Sequence, residues 1–504
     1  MNSLKNCDHK TPGDHKKIPR GLHYHYSQKL MFRNNKSTPL ITKRNMCSKT
    51  FHIVIHNKLN RRLKKFSYKF LQNLKSDWPL EHLHLRYGFS HVQELTFVSH
   101  VLKHFHKLSA LQLRIINEST DLERLNDIVR SFRFFPFLKT LDFAASFQNP
   151  SCSEEFKLTK TLKYLRGNLE VLALHFGTSL FMEKVCQGIR RMTALKDLNL
   201  NYSSCGLMLH NAQAIADCFH GLENLTHLKL GLSHNSIPMA GFSAIMKSIK
   251  DLTKLKTLEI GFDKNLIFAE NFGEFNEAMV NLKELEVLDL NLNGIKIFKN
   301  SIMDFGEGIS HLTNLKVLKL SLVDCRLKEK QIINLGKGIS ALTNITEIEL
   351  DLTHNELDNK EISEFIECLR PLKETKIFSL SLARNPIIDL VMVSISSILS
   401  QYRKLEKVSL NGFDCKLTDK GISKLSIFPK ILNLKELTLI FTKNRNIQAE
   451  GVKKLMDGLS EVKGLQEIRV DFAECQLSSD LEDYYSAKLK NDLPECRTTI
   501  LFGI

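Results

Sequence analysis

The stretch LTHLKLGLSHNSI, residues 225–237, combines strand-like alternation with a polar turn. Leu228, Leu230 and Leu232 alternate with polar residues or glycine, which is the period of a β-strand and places the three leucines on one face. The following residues, 238–249, have apolar side chains at helical spacing. The stretch and its continuation therefore predict a strand, a turn and a helix within about thirty residues.

This pattern recurs with constant phase along most of the chain. Units with an L-x-x-L-x-L pattern or apolar variants of it begin at Leu195, Leu225, Leu255, Leu285, Leu315 and Ile345, at Thr375, Leu405, Leu434 and Leu465, and more weakly at Leu80, Leu108, Leu138 and Leu169. The apolar run Phe51–Ile55 fits one more strand. Because a single unit cannot cover its own apolar side, the units must stack on one another.

The full motif, L-x-x-L-x-L-x-L-x-x-(N/C)-x-(L/I), resembles the ribonuclease-inhibitor-like class of leucine-rich repeats, which also occurs in NOD-like receptors and in the Ran GTPase-activating protein. The resemblance covers about residues 50–490. It implies an α/β leucine-rich repeat solenoid, or horseshoe, with a concave parallel β-sheet, convex α-helices and about 14–15 repeats of ~30 residues. It also implies that the inner face of the sheet is the partner-binding surface.

The pattern divides the chain into four segments. We expect a basic, mostly disordered leader (1–50), irregular repeats (51–194), regular repeats (195–490) and a C-terminal capping segment (491–504). Residues 497–502 are predicted to form a closing strand at the edge of the sheet.

The tenth residue after each regular start is restricted to asparagine or cysteine in every unit but one. In the resembling family this position forms a ladder that satisfies the backbone of the turns. The predicted ladder is Cys205, Asn235, Asn265, Cys325, Asn355, Asn385, Cys415, Asn444 and Cys475. Ile295 interrupts it, so we expect an altered turn in that repeat.

Small residues recur seven positions before the repeat starts, where we expect them to let the end of the helix pack closely on the sheet. They are Gly188, Cys218, Ser248, Ala278, Gly308, Gly338, Cys368 and Gly458. The ladder position and the position seven residues before each repeat start together account for six of the eleven cysteines. The remainder are Cys7, Cys47, Cys152, Cys186 and Cys496, an odd number without the spacing of a zinc site. We therefore expect reduced thiols in an intracellular protein, with no metal or other cofactor.

The net charge of +16 is concentrated at the N-terminal end. Residues 58–75 have apolar residues at helical spacing and a basic patch, Arg61, Arg62, Lys64, Lys65 and Lys69. This pattern is typical of a solvated outer helix, but it also fits a nuclear-import signal or contact with nucleic acid or an acidic membrane. No signal peptide or membrane-spanning run is recognisable, so we expect a cytoplasmic protein, with a nuclear location as the alternative.

The strand residues that point away from the core are mainly acidic near the middle of the chain. Glu259, Asp289, Glu347, Glu349 and Asp351 are predicted to form an acidic stripe on the concave face. Neighbouring strands are about 4.8 Å apart, so stacked carboxylates repel unless water, Lys319 or a partner compensates them. The stripe fits either a solvated face or a docking site for a basic protein surface.

Motifs of catalysis or nucleotide binding are not found. The glycine-rich fragments at 305–308 and 336–338 lack the phosphate-binding pattern and fall at the helix-end phase. We therefore expect a non-catalytic protein-interaction scaffold without a small-molecule substrate. Two alternatives stay open: a regulator of a GTPase, as in the Ran GTPase-activating protein, and attachment to nucleic acid or a membrane surface through the N-terminal 75 residues.

Overall fold

A computed structural model describes residues 27–32, 50–55, 81–87, 98–99, 102–103, 105–115, 122–145, 156–269, 272–297 and 301–503. The described strands, β1 to β19, are Ser27–Phe32, Thr50–Ile55, His82–Tyr87, Ala110–Ile115, Thr140–Ala145, Val171–Phe176, Asp197–Asn201, His227–Gly231, Thr257–Gly261, Phe268–Ala269, Val287–Asn291, Lys296–Ile297, Val317–Ser321, Glu347–Asp351, Ile377–Ser381, Lys407–Asn411, Glu436–Ile440, Glu467–Asp471 and Arg497–Leu501. The described α-helices, α1 to α13, are Leu122–Ser131, Leu158–Leu165, Met182–Ile189, Leu209–Cys218, Met239–Ile249, Gly273–Asn281, Ser301–Ser310, Glu329–Ser340, Asn359–Cys368, Asp389–Leu399, Asp419–Lys424, Ala449–Ser460 and Ser479–Asp492. Two short 3₁₀ helices span Phe132–Phe134 and Phe428–Lys430.

Seventeen of the described strands form one sheet, in which each strand is parallel to the next one along the chain. In the regular repeats the register advances by one repeat per strand: Leu198 aligns with Leu228, and Leu228 with Leu258. These leucines lie on the helix side and are at most 1% exposed. The molecule is therefore the α/β repeat solenoid that the pattern predicts.

The curvature of the sheet follows from two packing distances. Parallel strands are separated by about 4.8 Å, whereas packed helices need about 8–10 Å between their axes. Each repeat contributes one strand to one side and, in the regular region, one helix to the other. The helical side must therefore be longer than the strand side, and the strands line the concave surface.

The weakly patterned N-terminal units join the same sheet. Strands β3 to β6 each begin two residues after the starts expected at Leu80, Leu108, Leu138 and Leu169. Strand β2, Thr50–Ile55, contains the predicted run Phe51–Ile55. Strand β1, Ser27–Phe32, lies within the expected leader 1–50 and was not anticipated, because its sequence SQKLMF lacks the repeat motif.

The C-terminal edge ends with an additional strand. The predicted strand at 497–502 is observed as Arg497–Leu501, parallel to β18. The preceding helix α13 packs against it, and the Glu482 carboxylate accepts hydrogen bonds from the backbone N–H groups of Phe502 (2.6 Å) and Gly503 (3.1 Å). None of the helices within the described ranges is long and apolar enough to cross a membrane.

The asparagines of the turn ladder each connect two turns. Oδ1 of Asn235 accepts hydrogen bonds from the backbone N–H groups of Cys205 (3.0 Å) and Leu207 (2.9 Å) in the preceding repeat. Its Nδ2 donates to the carbonyl oxygens of Tyr202 (3.0 Å) and Leu232 (2.9 Å). Asn385 makes the equivalent contacts. One side chain thus satisfies four backbone groups that burial would otherwise leave without partners.

The cysteines of the ladder supply the hydrogen-bond donor of this arrangement but not the acceptor. The Cys325 thiol donates to the Leu292 carbonyl oxygen at 3.2 Å, and that of Cys205 donates to the Phe176 carbonyl oxygen at 3.1 Å. A thiol is a weak donor and a poor acceptor. The Leu292 carbonyl oxygen also accepts a hydrogen bond from Ile295 N–H at 3.2 Å, as the Leu382 carbonyl oxygen does from Asn385 N–H at 3.3 Å.

Around Ile295 the backbone keeps the conformation of the other turns, so the altered turn that the interruption predicts is not seen in the backbone. Ile295 is fully buried, and the preceding Gly294 has a positive φ of 76°, as His234 (56°) and His354 (58°) have at the equivalent position. After the turn, β10 and β12 pair in parallel, Phe268 with Lys296 and Ala269 with Ile297. The equivalent positions pair as single parallel bridges in other repeats, Pro238 with Leu266 and Thr418 with Asn446, so this short sheet extends a contact that also occurs beside an intact ladder.

Candidate interaction surface

The surface opposite the helices, which we call the sheet face, consists of the first, third and fifth residues of the five-residue strands. Alternation places these side chains outward while the second and fourth residues are buried. The parallel register brings equivalent positions into rows that cross the repeats. In the third position, five consecutive strands carry a row of charged residues: Lys229, Glu259, Asp289, Lys319 and Glu349.

The predicted acidic stripe is interleaved with lysines in this row. Lys229 forms an ion pair with Glu259 across one repeat. The Lys319 ammonium lies 2.6 Å from Oε1 of Glu347 and 2.9 Å from Oε1 of Glu349. Its partial burial favours the neutral amine, but hydrogen bonds to both glutamates outweigh that effect and raise the pKa of Lys319. Lys229 and Lys319 therefore face four carboxylates, those of Glu259, Asp289, Glu347 and Glu349, and this group of six side chains has two more negative than positive charges.

Among the five acids of the predicted stripe, Asp289 has the least compensation. It makes no ion pair within the part of the chain that the structure describes, although it aligns with Glu259 on one side and Lys319 on the other. Burial raises its pKa, and the charge of Glu259 raises it further, while Lys319 and Lys229 act in the opposite direction. A cationic group placed over Asp289 would favour its charged form and so oppose the effects of burial and of Glu259.

Asp351 has a different environment from the other predicted acids. It is the fifth residue of β14, and its Oδ1 accepts hydrogen bonds from the backbone N–H (3.1 Å) and the hydroxyl (2.6 Å) of Thr353. Asn291 and Asn411 bond the backbone two residues later in the same way. The Asp351 side chain therefore takes part in closing the turn, besides lying at the edge of the sheet face.

A second polar cluster on the sheet face was missed by the sequence analysis. Asp142 Oδ2 accepts hydrogen bonds from Gln112 and from Arg114 (3.1 Å), and its Oδ1 lies 3.7 Å from Nε2 of His175. Burial lowers the pKa of His175, and the Asp142 charge opposes that change. Asp142 and Gln112 occupy the third strand position of their units, so the repeat phase already placed them side by side.

The remaining predicted site lies outside the described residues. The basic patch Arg61, Arg62, Lys64, Lys65 and Lys69 falls in the segment 56–80, so its role stays a prediction. Within the described ranges, no group of three or more His, Cys, Asp or Glu side chains is arranged to hold a metal ion.

The fold and this surface define the chain as an α/β repeat solenoid with a charged concave sheet. No protein-family model and no curated protein matches it. Among solved structures 188 chains match, including one described as "Crystal structure of Rad7 and Elc1 complex in yeast". That chain has 16% sequence identity and a TM-score of 0.41, and the alignment covers 70% of this chain and 83% of that one. Likeness at this level carries no functional argument.

Proposed function

We propose that the protein is a non-catalytic interaction scaffold of the ribonuclease-inhibitor-like leucine-rich repeat class, and that it binds a protein partner on the sheet face. The observation that carries the proposal is the row of charged side chains on five adjacent strands, with its surplus of carboxylates around Asp289. A partner with a basic surface would compensate this surplus, and a charged row in fixed register selects a complementary charge pattern.

The rigidity of the strands also supports binding of a partner on the sheet face. The strands are held on one side by a continuous apolar core and at their ends by the turn ladder. A surface that is already ordered loses little conformational entropy when it binds. The partner would therefore meet the charges at the spacing of the strands, about 4.8 Å.

The experiment uses neutral variants that keep the size of each side chain. The test variant combines Glu259→Gln, Asp289→Asn and Glu349→Gln. Glu347 is left intact so that Lys319 keeps a partner, and Asp351 is left intact because it bonds Thr353 in the turn. The wild type and the test variant are each used to capture partners from a lysate. The captured partner is then purified, and its binding is measured by titration.

A matched control removes the same number of negative charges away from the sheet face. Asp251→Asn, Glu284→Gln and Glu307→Gln are exposed positions outside the strands of neighbouring repeats. We expect the partner to bind the wild type and the control equally, and the test variant at least about tenfold more weakly, with affinity falling as salt rises. Equal binding by all three folded proteins would contradict the proposal.

The two alternatives remain separate predictions. GTPase regulation would be tested by GTP hydrolysis of candidate GTPases with and without the protein. Attachment to nucleic acid or a membrane through residues 1–75 would be tested by deleting that segment and measuring salt-sensitive binding.

A further inference from the structure

The rim at which each helix leads into the next strand carries a row of charged residues, one position after the repeat starts. Each of them directly precedes a strand of the sheet, so the parallel register places them side by side. The row contains three triplets in which a glutamate lies between two lysines of the neighbouring repeats. They are Lys139–Glu170–Lys196, Lys256–Glu286–Lys316 and Lys376–Glu406–Lys435.

In the first two triplets both lysines are paired with the glutamate. The two ammonium groups lie 3.0 and 2.7 Å from the carboxylate oxygens of Glu170, and 3.8 and 2.6 Å from those of Glu286. Hydrogen bonds from lysine lower the pKa of both glutamates. The positive charges of these two triplets are therefore engaged within the chain.

The third triplet leaves one of its lysines unpaired and has two more lysines beside it. The Lys435 ammonium lies 2.6 Å from a carboxylate oxygen of Glu406, and this hydrogen bond lowers the pKa of Glu406. Lys376 makes no ion pair with any residue in the described ranges. The additional lysines are Lys404 and Lys463. All four lysines and Glu406 line one groove of about 380 Å³, which we call the basic groove.

The basic groove keeps a positive charge when its ion pairs are counted. Lys404 pairs with Glu374, outside the groove, and Lys435 pairs with Glu406, inside it. Each pair is neutral, so the charge of Lys376 and that of Lys463 stay uncompensated. A concave surface with an excess of one charge concentrates ions of the opposite charge. The basic groove therefore attracts anions.

Gly464 keeps one side of the basic groove open. It has a positive φ of 89°, and there is open space where a Cβ would lie. One repeat earlier the equivalent residue is Asn433, whose Nδ2 donates to the Arg403 carbonyl oxygen at 2.9 Å. Because Gly464 has no side chain to occupy that space, a ligand can approach the lysines from solvent.

A groove of similar size on the same rim has the opposite charge. It has a volume of about 400 Å³ and lies between residues 219–223 and 248–254. Its charged lining residues are Glu223, Asp251 and Lys254, so acids outnumber bases there. The repeat architecture therefore produces grooves of this kind, whereas the excess of lysine is particular to the C-terminal repeats.

We propose that the basic groove binds a small soluble anion that carries several phosphate groups. Its lysines come from four consecutive repeats, and two strand spacings of about 4.8 Å separate the backbones of Lys376 and Lys435 by about 10 Å. A ligand that reaches lysines on both sides of the groove must therefore carry more than one anionic group. Lysine suits phosphate, because its ammonium is a compact charge with three hydrogen-bond donors.

The confinement of the excess charge to one groove favours a compact ligand over a nucleic acid. Towards the N-terminus, the lysines of the first two triplets are paired and the groove at 219–254 is acidic. A nucleic acid needs a positive path that follows its backbone over many nucleotides. The sheet face is not part of the basic groove, so this proposal does not depend on a partner that binds there.

The probe is inositol hexakisphosphate, titrated into the full chain by isothermal titration calorimetry at about 0.15 M salt. The test variant combines Lys376→Gln, Lys404→Gln and Lys463→Gln, and Lys435 is kept so that Glu406 retains its partner. We expect the test variant to bind the probe at least about tenfold more weakly than the wild type. Glu406→Gln removes the negative charge from the groove and should strengthen binding about two- to fivefold.

Two controls change equal charges outside the basic groove. Lys184→Gln, Lys247→Gln and Lys337→Gln together remove three exposed lysines from the helices, and Glu170→Gln removes the glutamate of the first triplet. Both controls should bind the probe as the wild type does. The basic segment 58–75 is present in every variant, so the differences between variants report on the groove.

Equal affinity of the wild type and the test variant for the probe, with both shown to be folded by circular dichroism, would overturn the proposal. The same titrations with a single-stranded oligonucleotide and with anionic lipid vesicles separate the other ligands. If the test variant lost binding to either of these but not to inositol hexakisphosphate, the groove would serve a macromolecule or a membrane, and the proposal would be wrong.

Discussion

The turn ladder and the sheet face recur with the same period, a few residues apart in each repeat, yet they have opposite physical character. At the turn, Asn385 is 1% exposed and its side chain bonds backbone groups on both sides. On the sheet face, Asp289 is partly exposed and carries a charge that its surroundings only partly compensate. Periodicity alone therefore does not separate residues that hold the solenoid together from residues available to a partner.

The turn ladder and the sheet face differ in how their side chains form hydrogen bonds. Ladder side chains bond other groups of the same chain, whereas sheet-face side chains keep positions that are free for a partner. The ladder asparagine has its carbonyl oxygen and its amide group fully engaged. The sheet-face carboxylates retain acceptor positions that face solvent. Substitutions in the ladder should therefore reduce stability, whereas neutral substitutions on the sheet face should affect binding and leave the fold intact.

The largest effect on stability is expected for Asn385→Ala. This change removes the acceptor of the Asn355 and Leu357 N–H groups and the donor to the Leu352 and Leu382 carbonyl oxygens. Each buried group left unsatisfied costs about 1–3 kcal/mol. We expect a loss of at least about 3 kcal/mol in the free energy of unfolding, measured by urea denaturation followed by circular dichroism.

Ser379→Ala, on the sheet face of the same repeat, is the control and should change stability by less than about 0.5 kcal/mol. If the two substitutions had similar effects, the contrast between the regions would be wrong.

A smaller loss is expected for Cys325→Ala. Burial raises the pKa of the Cys325 thiol to about 12, so it stays neutral and offers one weak hydrogen bond to Leu292. Removing that bond should cost about 1 kcal/mol in the same urea experiment. A loss as large as that of Asn385→Ala would mean that the cysteine also serves as an acceptor, and that the two residue types are equivalent in the ladder.

Much of the fold could be predicted from the sequence because the repeat phase fixes which residues are buried and which strands are neighbours. The weak units from Leu80 to Leu169 align with β3 to β6 for this reason. Strand β1 could not be predicted from the sequence, because it lacks the repeat motif. It is recognised as a strand by its parallel pairing with β2. The altered turn expected at Ile295 is not seen in the backbone, because the positive φ of the preceding residue is common to the regular repeats and does not depend on the asparagine.

The candidate site was predictable in position but less so in chemistry. Phase alone places Lys229 beside Glu259 and Lys319 beside Glu349, and it already indicates Lys319 as a compensating charge. The ion pair of Lys229 with Glu259 and the contact of Lys319 with Glu347 depend on side-chain conformation, which phase does not specify. The hydrogen bonds of Asp351 depend on the turn geometry, which the alternation pattern does not specify.

The smallest effect on stability, and one of opposite sign, is expected for Asp289→Asn. Since the folded protein raises the pKa of Asp289 above its unfolded value, ionisation of this group opposes folding. The cost is fully present at neutral pH and disappears as the pH falls below the ordinary pKa of an aspartate. Asp289→Asn should therefore raise Tm slightly at pH 7 and leave it unchanged in acid below that pKa, while weakening partner binding.

Thermal unfolding of both proteins over a pH series measures this difference. Glu284→Gln, an exposed change of equal charge away from the sheet face, should show no comparable pH-dependent gain. A lower Tm of the Asp289→Asn variant at neutral pH would mean that the carboxylate has a structural partner, as the ladder residues do. A higher Tm combined with weaker binding would mean that the sheet face keeps an unfavourable charge whose compensation comes from the partner.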